Sequence, residues 1–224
     1  MSDFLGLVRI WFGTMTYQAC DGSYGNASTS PALQLVVAAR YGDLANLQKL
    51  YNIRRVGDLN YSHPSDGITP LIAAAQQGHL HVVEYLVKRN VHVDHQDASG
   101  ETALVKAVRS AKMEVVQYLL TEAKANPKIR NYHGDTALSI AVFYHQVAIV
   151  ELLLQHATWN VRECNPKQKT ESPLSLAREL KFKEIEATLL EYDRRQQQQQ
   201  QFGQALENTT RVNETSPTFA TEPV

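Results

Sequence analysis

Apolar and polar residues follow the same order twice between Gly67 and Gly134. The stretch GITPLIAAAQQGHLHVVEYLV is followed by GETALVKAVRSAKMEVVQYLL, and each copy holds two apolar segments separated by a short polar one. In the second segment, apolar residues at positions i, i+1, i+4 and i+5 from Val82 have the spacing of one buried stripe on a helix. Gly67 and Gly100 lie 33 positions apart, and Gly134 lies 34 further on. A period of this length predicts one helical unit stacked on copies of itself.

The residues at the ends of these segments predict where each helix starts and stops. Thr69 is suited to cap the first helix, and Gly78 supplies a left-handed residue that ends it. The second helix is predicted from Leu80 to about Arg89, with Asn90 as its left-handed stop. In the following stretch 97–100, aspartate comes first and glycine fourth, which favours a type I turn. The predicted unit is turn, helix, turn, helix.

Further copies flank the two best ones. A more degenerate copy covers residues 35–50 and contains Gly42 as its helix stop, and a fifth begins at Ser172. The fifth copy carries Glu186 where the other copies place valine. A charge there would be costly beneath another repeat, so we expect the array to end with this helix. The cap recurs as Thr102, Thr136 and Ser172, and the valines aligned with Glu186 are Val83, Val116 and Val150.

The pattern resembles the ankyrin repeat, most clearly in TPLIAAAQQGHLHVVEYL, and the resemblance covers residues 31–195. It implies an all-α repeat fold, a solenoid of about five helix-turn-helix units with short projecting turns. The chain departs from the family where the histidine after the leucine is replaced in every copy, so we expect the hydrogen bonds of that histidine to be lost. The later copies also lack the helix-stop glycine, where a left-handed conformation costs about 1 kcal/mol, so we expect these repeats to be weaker. The replacements are Val36, Ile72, Val105, Ser139 and Ser175 for the histidine, and Ala111, His145 and Lys181 for the glycine.

Residue pairs just before each helix stop are not needed for stacking and should line one concave surface. They are Arg40 and Tyr41, Gln76 and Gln77, Arg109 and Ser110, and Phe143 and Tyr144. Ankyrin proteins typically bind another protein through this surface and the turn tips, so the resemblance adds Asp66, Ile68, Gln96, Ser99, Glu101, Arg130, Tyr132, His133 and Asp135.

Three aromatic residues, Tyr132, Phe143 and Tyr144, are expected to cluster near the fourth repeat, with Arg109 and Arg130 nearby. Tyrosine and arginine are enriched at the energetic centres of interfaces, which favours a binding patch. The alternative is that Phe143 and Tyr144 only cover a neighbouring helix.

Composition narrows the function classes. The chain has 22 basic and 23 acidic residues, and this balance does not favour a nucleic-acid partner. Its two cysteines, Cys20 and Cys164, lie in different segments, which indicates a reducing, intracellular and cytoplasmic setting. We expect a monomer with no transmembrane span and no cofactor.

The sequence gives little support for a metal site or a catalytic site. Two histidine pairs, at 79 and 81 and at 92 and 95, lack further ligands for a tetrahedral metal site, so no metal is expected. Cys164 and His156 would need an orienting third group before they could act as a nucleophile and base. We therefore expect a binding protein and not an enzyme.

The remaining segments divide the chain into residues 1–30, 31–195 and 196–224. Residues 4–15 place apolar residues on one helical face, which predicts an amphipathic helix. We expect this helix to cover the open end of the array or a partner's groove. A membrane-surface anchor and a processed leader are the alternatives. The turn at 159–170 is longer than its counterparts. The extra residues are either an insertion of the kind that loops tolerate or an adaptation for a ligand. The glutamine run 196–201 leads to a tail that we expect to be disordered beyond Glu207.

The sequence thus predicts an adaptor or scaffold for a protein partner. A secreted effector of an intracellular bacterium and a membrane-tethered regulatory subunit are the alternatives.

Overall fold

The computed structural model describes residues 31–54, 58–167 and 172–214, and within these stretches every regular element is an α-helix. Consecutive helices form five pairs whose members are joined by two or three residues. We call the first helix of each pair inner and the second outer. The predictions for residues 1–30 lie outside the described part of the chain. The pairs are α1 Pro31–Tyr41 with α2 Leu44–Arg54, α3 Pro70–Gln77 with α4 Leu80–Val87, α5 Ala103–Arg109 with α6 Met113–Thr121, α7 Ala137–Phe143 with α8 Val147–His156, and α9 Pro173–Glu179 with α10 Lys183–Glu214.

The helix pairs stack because their facing sides are small and apolar. Each inner helix contacts the next from α1 to α9, and the outer helices α4, α6, α8 and α10 contact one another in turn. Inner helices meet through alanines such as Ala74, Ala107 and Ala141, which are fully buried and allow backbones to approach closely. The leucine after each cap, such as Leu104 and Leu138, fills the space between helices. This is the all-α ankyrin-type solenoid that the sequence predicts.

Side-chain caps start the inner helices as predicted. The Thr69 hydroxyl accepts a hydrogen bond from the amide of Ile72 at 3.3 Å. The hydroxyls at the same position of the next three repeats, those of Thr102, Thr136 and Ser172, also accept from the amide three residues later. In the last two repeats the cap is reciprocal, because Ser139 Oγ accepts from the Thr136 amide at 2.9 Å. The serines that replace the family histidine thus form capping boxes, each satisfying a second backbone donor within its own repeat.

Left-handed residues end the inner helices at every predicted position. Gly78 has φ 87°, and Ala111, His145 and Lys181 have φ between 53° and 59°. Each of these three side chains adds about 1 kcal/mol of strain relative to glycine. The stop residue also contacts the repeat that follows. The His145 ring stacks on the Phe182 ring, with 4.2 Å between the ring centres.

The fifth repeat carries an ion pair where the other repeats are apolar. Arg178 aligns with buried Ala75, Val108 and Val142 of earlier inner helices, and Glu186 aligns with the valines of the outer helices. Arg178 Nε donates to Glu186 Oε1 at 2.8 Å, and both side chains reach solvent. The outward face of this repeat is therefore polar, as the sequence predicted from Glu186.

The last helix extends further than we expected. We predicted disorder beyond Glu207, whereas α10 continues through the glutamine run to Glu214. Adding residues to an existing helix costs little, and glutamine, glutamate, arginine and leucine are good helix formers, so few apolar contacts are needed. Residues 215–224 lie outside the described part.

Candidate protein-binding surface

Asparagine or aspartate side chains hold the projecting turns in shape. Asp97 Oδ1 accepts from the amides of Ser99 at 2.8 Å and Glu101 at 2.9 Å. The Gly100 amide donates to the Asp97 carbonyl at 2.8 Å, closing the turn that the sequence predicts. Asn131 and Asn165 occupy the same place in the next two turns and also accept backbone amides. These hydrogen bonds therefore fix the conformation of the projecting turns.

Successive turns are tied together by the backbone, with one exception. Ala98 donates its amide to the Asp66 carbonyl at 2.8 Å, and Tyr132 donates to Ser99 at 3.1 Å. The equivalent residue of the next turn is Pro166, which has no amide hydrogen to donate. The Asn165 side chain replaces that bond, since its Nδ2 donates to the His133 carbonyl at 3.1 Å.

Most of the predicted binding residues reach the surface, but two do not. Ile68 is 9% exposed and Glu101 is 4% exposed, so neither side chain is available to a partner. Ile68 belongs to the apolar core, and Glu101 belongs to an ion network described below. Arg40, Tyr41, Gln77, Gln96, Ser99, Arg109, Tyr132, His133, Phe143 and Tyr144 are exposed, and Asp66, Gln76, Ser110, Arg130 and Asp135 are half-buried.

Glu101 lies at the centre of a buried ion network between the third turn and its inner helix. Lys106 Nζ lies 2.8 Å from both Asp97 Oδ2 and Glu101 Oε2, and Arg109 Nη2 binds Glu101 Oε1. Burial alone would raise the pKa of Glu101, but the hydrogen bonds and charges of Lys106 and Arg109 outweigh it and lower that pKa. Burial would likewise lower the pKa of Lys106, and the two carboxylates raise it instead. Glu101 and Lys106 are therefore both charged at neutral pH.

Arg109 connects this network to exposed aromatic side chains of the next repeat. Its Nη1 donates to the Tyr144 hydroxyl at 3.0 Å, and its guanidinium carbon lies 5.7 Å from the Tyr144 ring centre. The rings of Phe143 and Tyr144 meet edge to face at 5.3 Å. Phe143 is 57% exposed and Tyr144 is 43% exposed, so a large part of each side chain faces solvent.

The fifth repeat extends this row with Leu180, which is 36% exposed. It follows directly after α9, the inner helix that packs beside α7, and so occupies the position that Tyr144 has after α7. Our sequence prediction stopped at the fourth repeat and missed it, although its place directly before the left-handed Lys181 was a usable signal. We call Phe143, Tyr144 and Leu180 the aromatic patch, with Arg109 at its edge.

Tyr132, which we expected near Phe143 and Tyr144, has its ring against the preceding turn. It lies against Gly100 of the preceding turn, where an added Cβ would approach Tyr132 Cδ1 to 2.7 Å. Arg130 is also occupied elsewhere, since it donates to the Gly134 carbonyl at 2.9 Å and to Glu163 at 2.6 Å. Both residues support the turn tips, which are held by the turn-to-turn hydrogen bonds.

Two of the histidines considered as metal ligands, His79 and His81, have structural partners. His79 Nε2 donates to the Arg40 carbonyl at 3.0 Å and His81 Nε2 to the Gly42 carbonyl at 2.9 Å. These carbonyls end α1, so the two rings cap the helix of the preceding repeat. Among the residues described, no three His, Cys, Asp or Glu side chains are grouped as metal ligands would be. The Cys164 thiol is free and exposed.

Comparison with known proteins settles the family. The family described as "Ankyrin repeats (3 copies)" matches residues 35–131, and "Ankyrin repeat" matches residues 133–165. The chain belongs to the ankyrin-repeat family. Ankyrin repeats generally mediate protein–protein interaction and are typically binding modules without enzymatic activity. None of the helices in the described stretches combines the length and apolarity needed to cross a membrane.

Relatives of this ankyrin-repeat protein come from diverse organisms. The mouse "Ankyrin repeat and SAM domain-containing protein 6" is 35% identical over 40% of this chain and 11% of its own length. The rice "Probable E3 ubiquitin-protein ligase XBOS32" is 35% identical over 54% of this chain and 24% of its own. The fowlpox virus "Putative ankyrin repeat protein FPV031" is 29% identical over 63% of this chain and 42% of its own. The chain thus spans less than half of the length of each of these three relatives.

Proposed function

We propose that this ankyrin array is an adaptor that binds a protein partner through its inner-helix surface, centred on the aromatic patch. The observation that supports this most is the exposure of Phe143 and Tyr144 beside Arg109. Aromatic side chains and arginine are over-represented among the residues that dominate interface energetics. Both rings lie outside the apolar core that stacks the repeats, and exposed apolar groups of this kind are typical of an interaction surface.

The turn tips form the second part of the proposed interface. Their backbone groups are already paired from turn to turn, which leaves side chains such as Ser99, Tyr132 and His133 to contact a partner. Because Asp97 and Asn131 fix the turns, little ordering entropy is lost when a partner binds.

Partner capture with surface variants tests this function. The full chain carrying Phe143→Ser and Tyr144→Ser is compared with the unchanged chain as bait, and bound proteins are identified by mass spectrometry. The matched control is Phe202→Ser, which removes another exposed aromatic ring, 73% exposed, from α10. We expect specific partners to be lost with the double variant and retained with the control. An unchanged set of partners on a double variant with unchanged thermal unfolding refutes the proposed surface.

The cellular setting is also part of the proposal. We propose an intracellular, cytoplasmic monomer that is not an enzyme and does not bind nucleic acid, with residues 4–15 either covering the array or contacting a membrane surface. Flotation of the intact chain with lipid vesicles, compared with a chain lacking residues 1–30, separates these two roles. Delivery into a host cell by an intracellular bacterium is an alternative setting for the same binding activity, and a translocation assay decides it.

A further inference from the structure

Two arginines near the aromatic patch, Arg109 of the third repeat and Arg178 of the fifth, are already paired within the array. Arg109 is bound to Glu101, and the other charges of that network, Asp97 and Lys106, also form a pair. At the fifth repeat, Arg178 is bound to Glu186. A charged partner residue that approached Arg109 or Arg178 would have to compete with an existing ion pair, so these two arginines contribute little net attraction.

The patch does offer one directed polar group. A tyrosine hydroxyl has one donor hydrogen and two acceptor lone pairs. Arg109 donates to the Tyr144 oxygen, which uses one of its lone pairs to accept this bond. The hydroxyl hydrogen of Tyr144 is then available for donation to a partner. The same arginine restricts the ring, since its guanidinium also lies near the ring face. The hydroxyl is therefore oriented before any partner arrives.

We propose that the aromatic patch recognises an uncharged apolar segment of the partner protein. This inference rests on the proposed function and specifies its chemistry. A large apolar side chain of the partner packs on the rings of Phe143 and Tyr144 and on Leu180, and the Tyr144 hydroxyl donates to a partner backbone carbonyl beside it. Removal of the exposed apolar surface of these three residues from water provides the binding free energy, and the hydroxyl fixes the register of the segment.

Two properties of binding follow from this chemistry. Affinity should change little with salt, because no new ion pair forms. Affinity should also depend on the tyrosine hydroxyl, because Tyr144→Phe keeps the ring and removes the donor. A lost hydrogen bond of about 1 kcal/mol corresponds to a several-fold weaker affinity. Phe143→Ser removes most of the apolar contact and should weaken binding about tenfold or more.

Selection from a random peptide library displayed on phage, with the intact chain as target, tests the inference. We expect enriched peptides that share tryptophan, phenylalanine or leucine and show no excess of acidic or basic residues. Synthetic copies are then titrated against the unchanged chain, Phe143→Ser, Tyr144→Phe and the control Phe202→Ser. Affinity should differ less than about threefold between about 0.05 and 0.5 M salt, because screening acts on charges. The unfolding temperature of each variant confirms that the array is intact.

The other outcomes separate this inference from the proposed function. Charged peptides whose binding is lost with Phe143→Ser overturn the uncharged chemistry and leave the binding surface in place. Peptides whose affinity is unchanged by both patch variants overturn the inference and the proposed surface together. Failure to enrich any sequence also overturns the inference, because it requires that a linear apolar segment suffices for binding.

Discussion

Removal of Lys106 should expose how strongly the third repeat depends on its buried ion network. The Lys106 side chain is 14% exposed, and it binds the carboxylates of Asp97 and Glu101, which are each 4% exposed as residues. Lys106→Ile keeps an apolar stem but leaves both carboxylates without that cation. The fourth repeat has neither the cation nor the first carboxylate at these positions, where Asn131, Asp135 and Ile140 align with Asp97, Glu101 and Lys106.

The size of the effect follows from the remaining partners. Breaking a buried ion pair by removing one partner costs about 3 to 5 kcal/mol. We expect the lower end for Lys106→Ile, because Asp97 keeps two backbone donors and Glu101 keeps Arg109. Adding Asp97→Asn should recover about half of the loss, since the amide oxygen can accept the same donors as Asn131 does and one buried charge is removed. The recovery is incomplete because the amide nitrogen gains no partner, as in Asn131, whose Nδ2 is buried and unpaired among the described residues.

The measurement is urea denaturation of the full chain followed by circular dichroism. Urea is preferable to guanidinium because it adds no salt that would screen the network. The free energy of unfolding should fall for Lys106→Ile and rise again for Lys106→Ile with Asp97→Asn. A loss below about 1 kcal/mol for the single variant, which is the range of exposed ion pairs, would refute the reasoning. A double variant no more stable than the single would refute it as well.

The pH dependence of the same variant gives an independent test. Glu101 has a lowered pKa in the folded state, so its contribution is present above its ordinary value of 4.5 and is lost as the pH falls through the lower folded value. Lys106 has a raised pKa, so its contribution is present below 10.5 and is lost as the pH rises through the higher folded value. The stability difference between the unchanged chain and Lys106→Ile should therefore be largest between these limits and shrink beyond either. A difference that does not change with pH would indicate lost packing in place of lost charge pairing.

Three further variants test other parts of the structure by urea denaturation or light scattering. Ala111→Gly should stabilise the chain by up to about 1 kcal/mol, because glycine adopts the left-handed conformation without strain, and a loss of stability would contradict this. Asn165→Ala should cost about 1 to 3 kcal/mol, since part-buried backbone groups of two turns lose their partners, and a change within about 0.5 kcal/mol would refute that role. Arg178→Val with Glu186→Val should make the end face of the fifth repeat apolar and cause concentration-dependent self-association, and a chain that stays at its original mass at high concentration would argue against the ion pair as a cap for that face.

The helix ends could be predicted from the sequence because their interactions are local. Thr69 accepts from an amide three residues away, and Gly78 needs only a left-handed backbone. Such features depend on residue type and spacing within one turn of helix, so they recur wherever the letters recur. The five repeats, the start and stop of the inner helices and the polar face marked by Glu186 all follow from that kind of signal.

The burial of Glu101 could not be predicted from its place at a turn. The resemblance to the family placed it at the tip, and the exposure of a tip position depends on what the inner helix presents beneath it. Lys106 lies five residues away on that helix, where the other repeats have apolar side chains, and it draws the carboxylate inward. The charge inside an otherwise apolar helix was the available signal, but its partner could be identified only in the folded chain.

The sequence by itself determined the fold of this protein, because stacking and capping use short-range patterns that repeat about every 33 residues. It also singled out the exposed pair Phe143 and Tyr144 from their position before a helix stop. Only the tertiary structure decided which side chains meet between repeats. Arg109 reaches Tyr144 across 35 positions of chain, and Asn165 replaces the hydrogen bond that Pro166 cannot make. These contacts depend on the distance between stacked units and on side-chain length, neither of which the order of residues states.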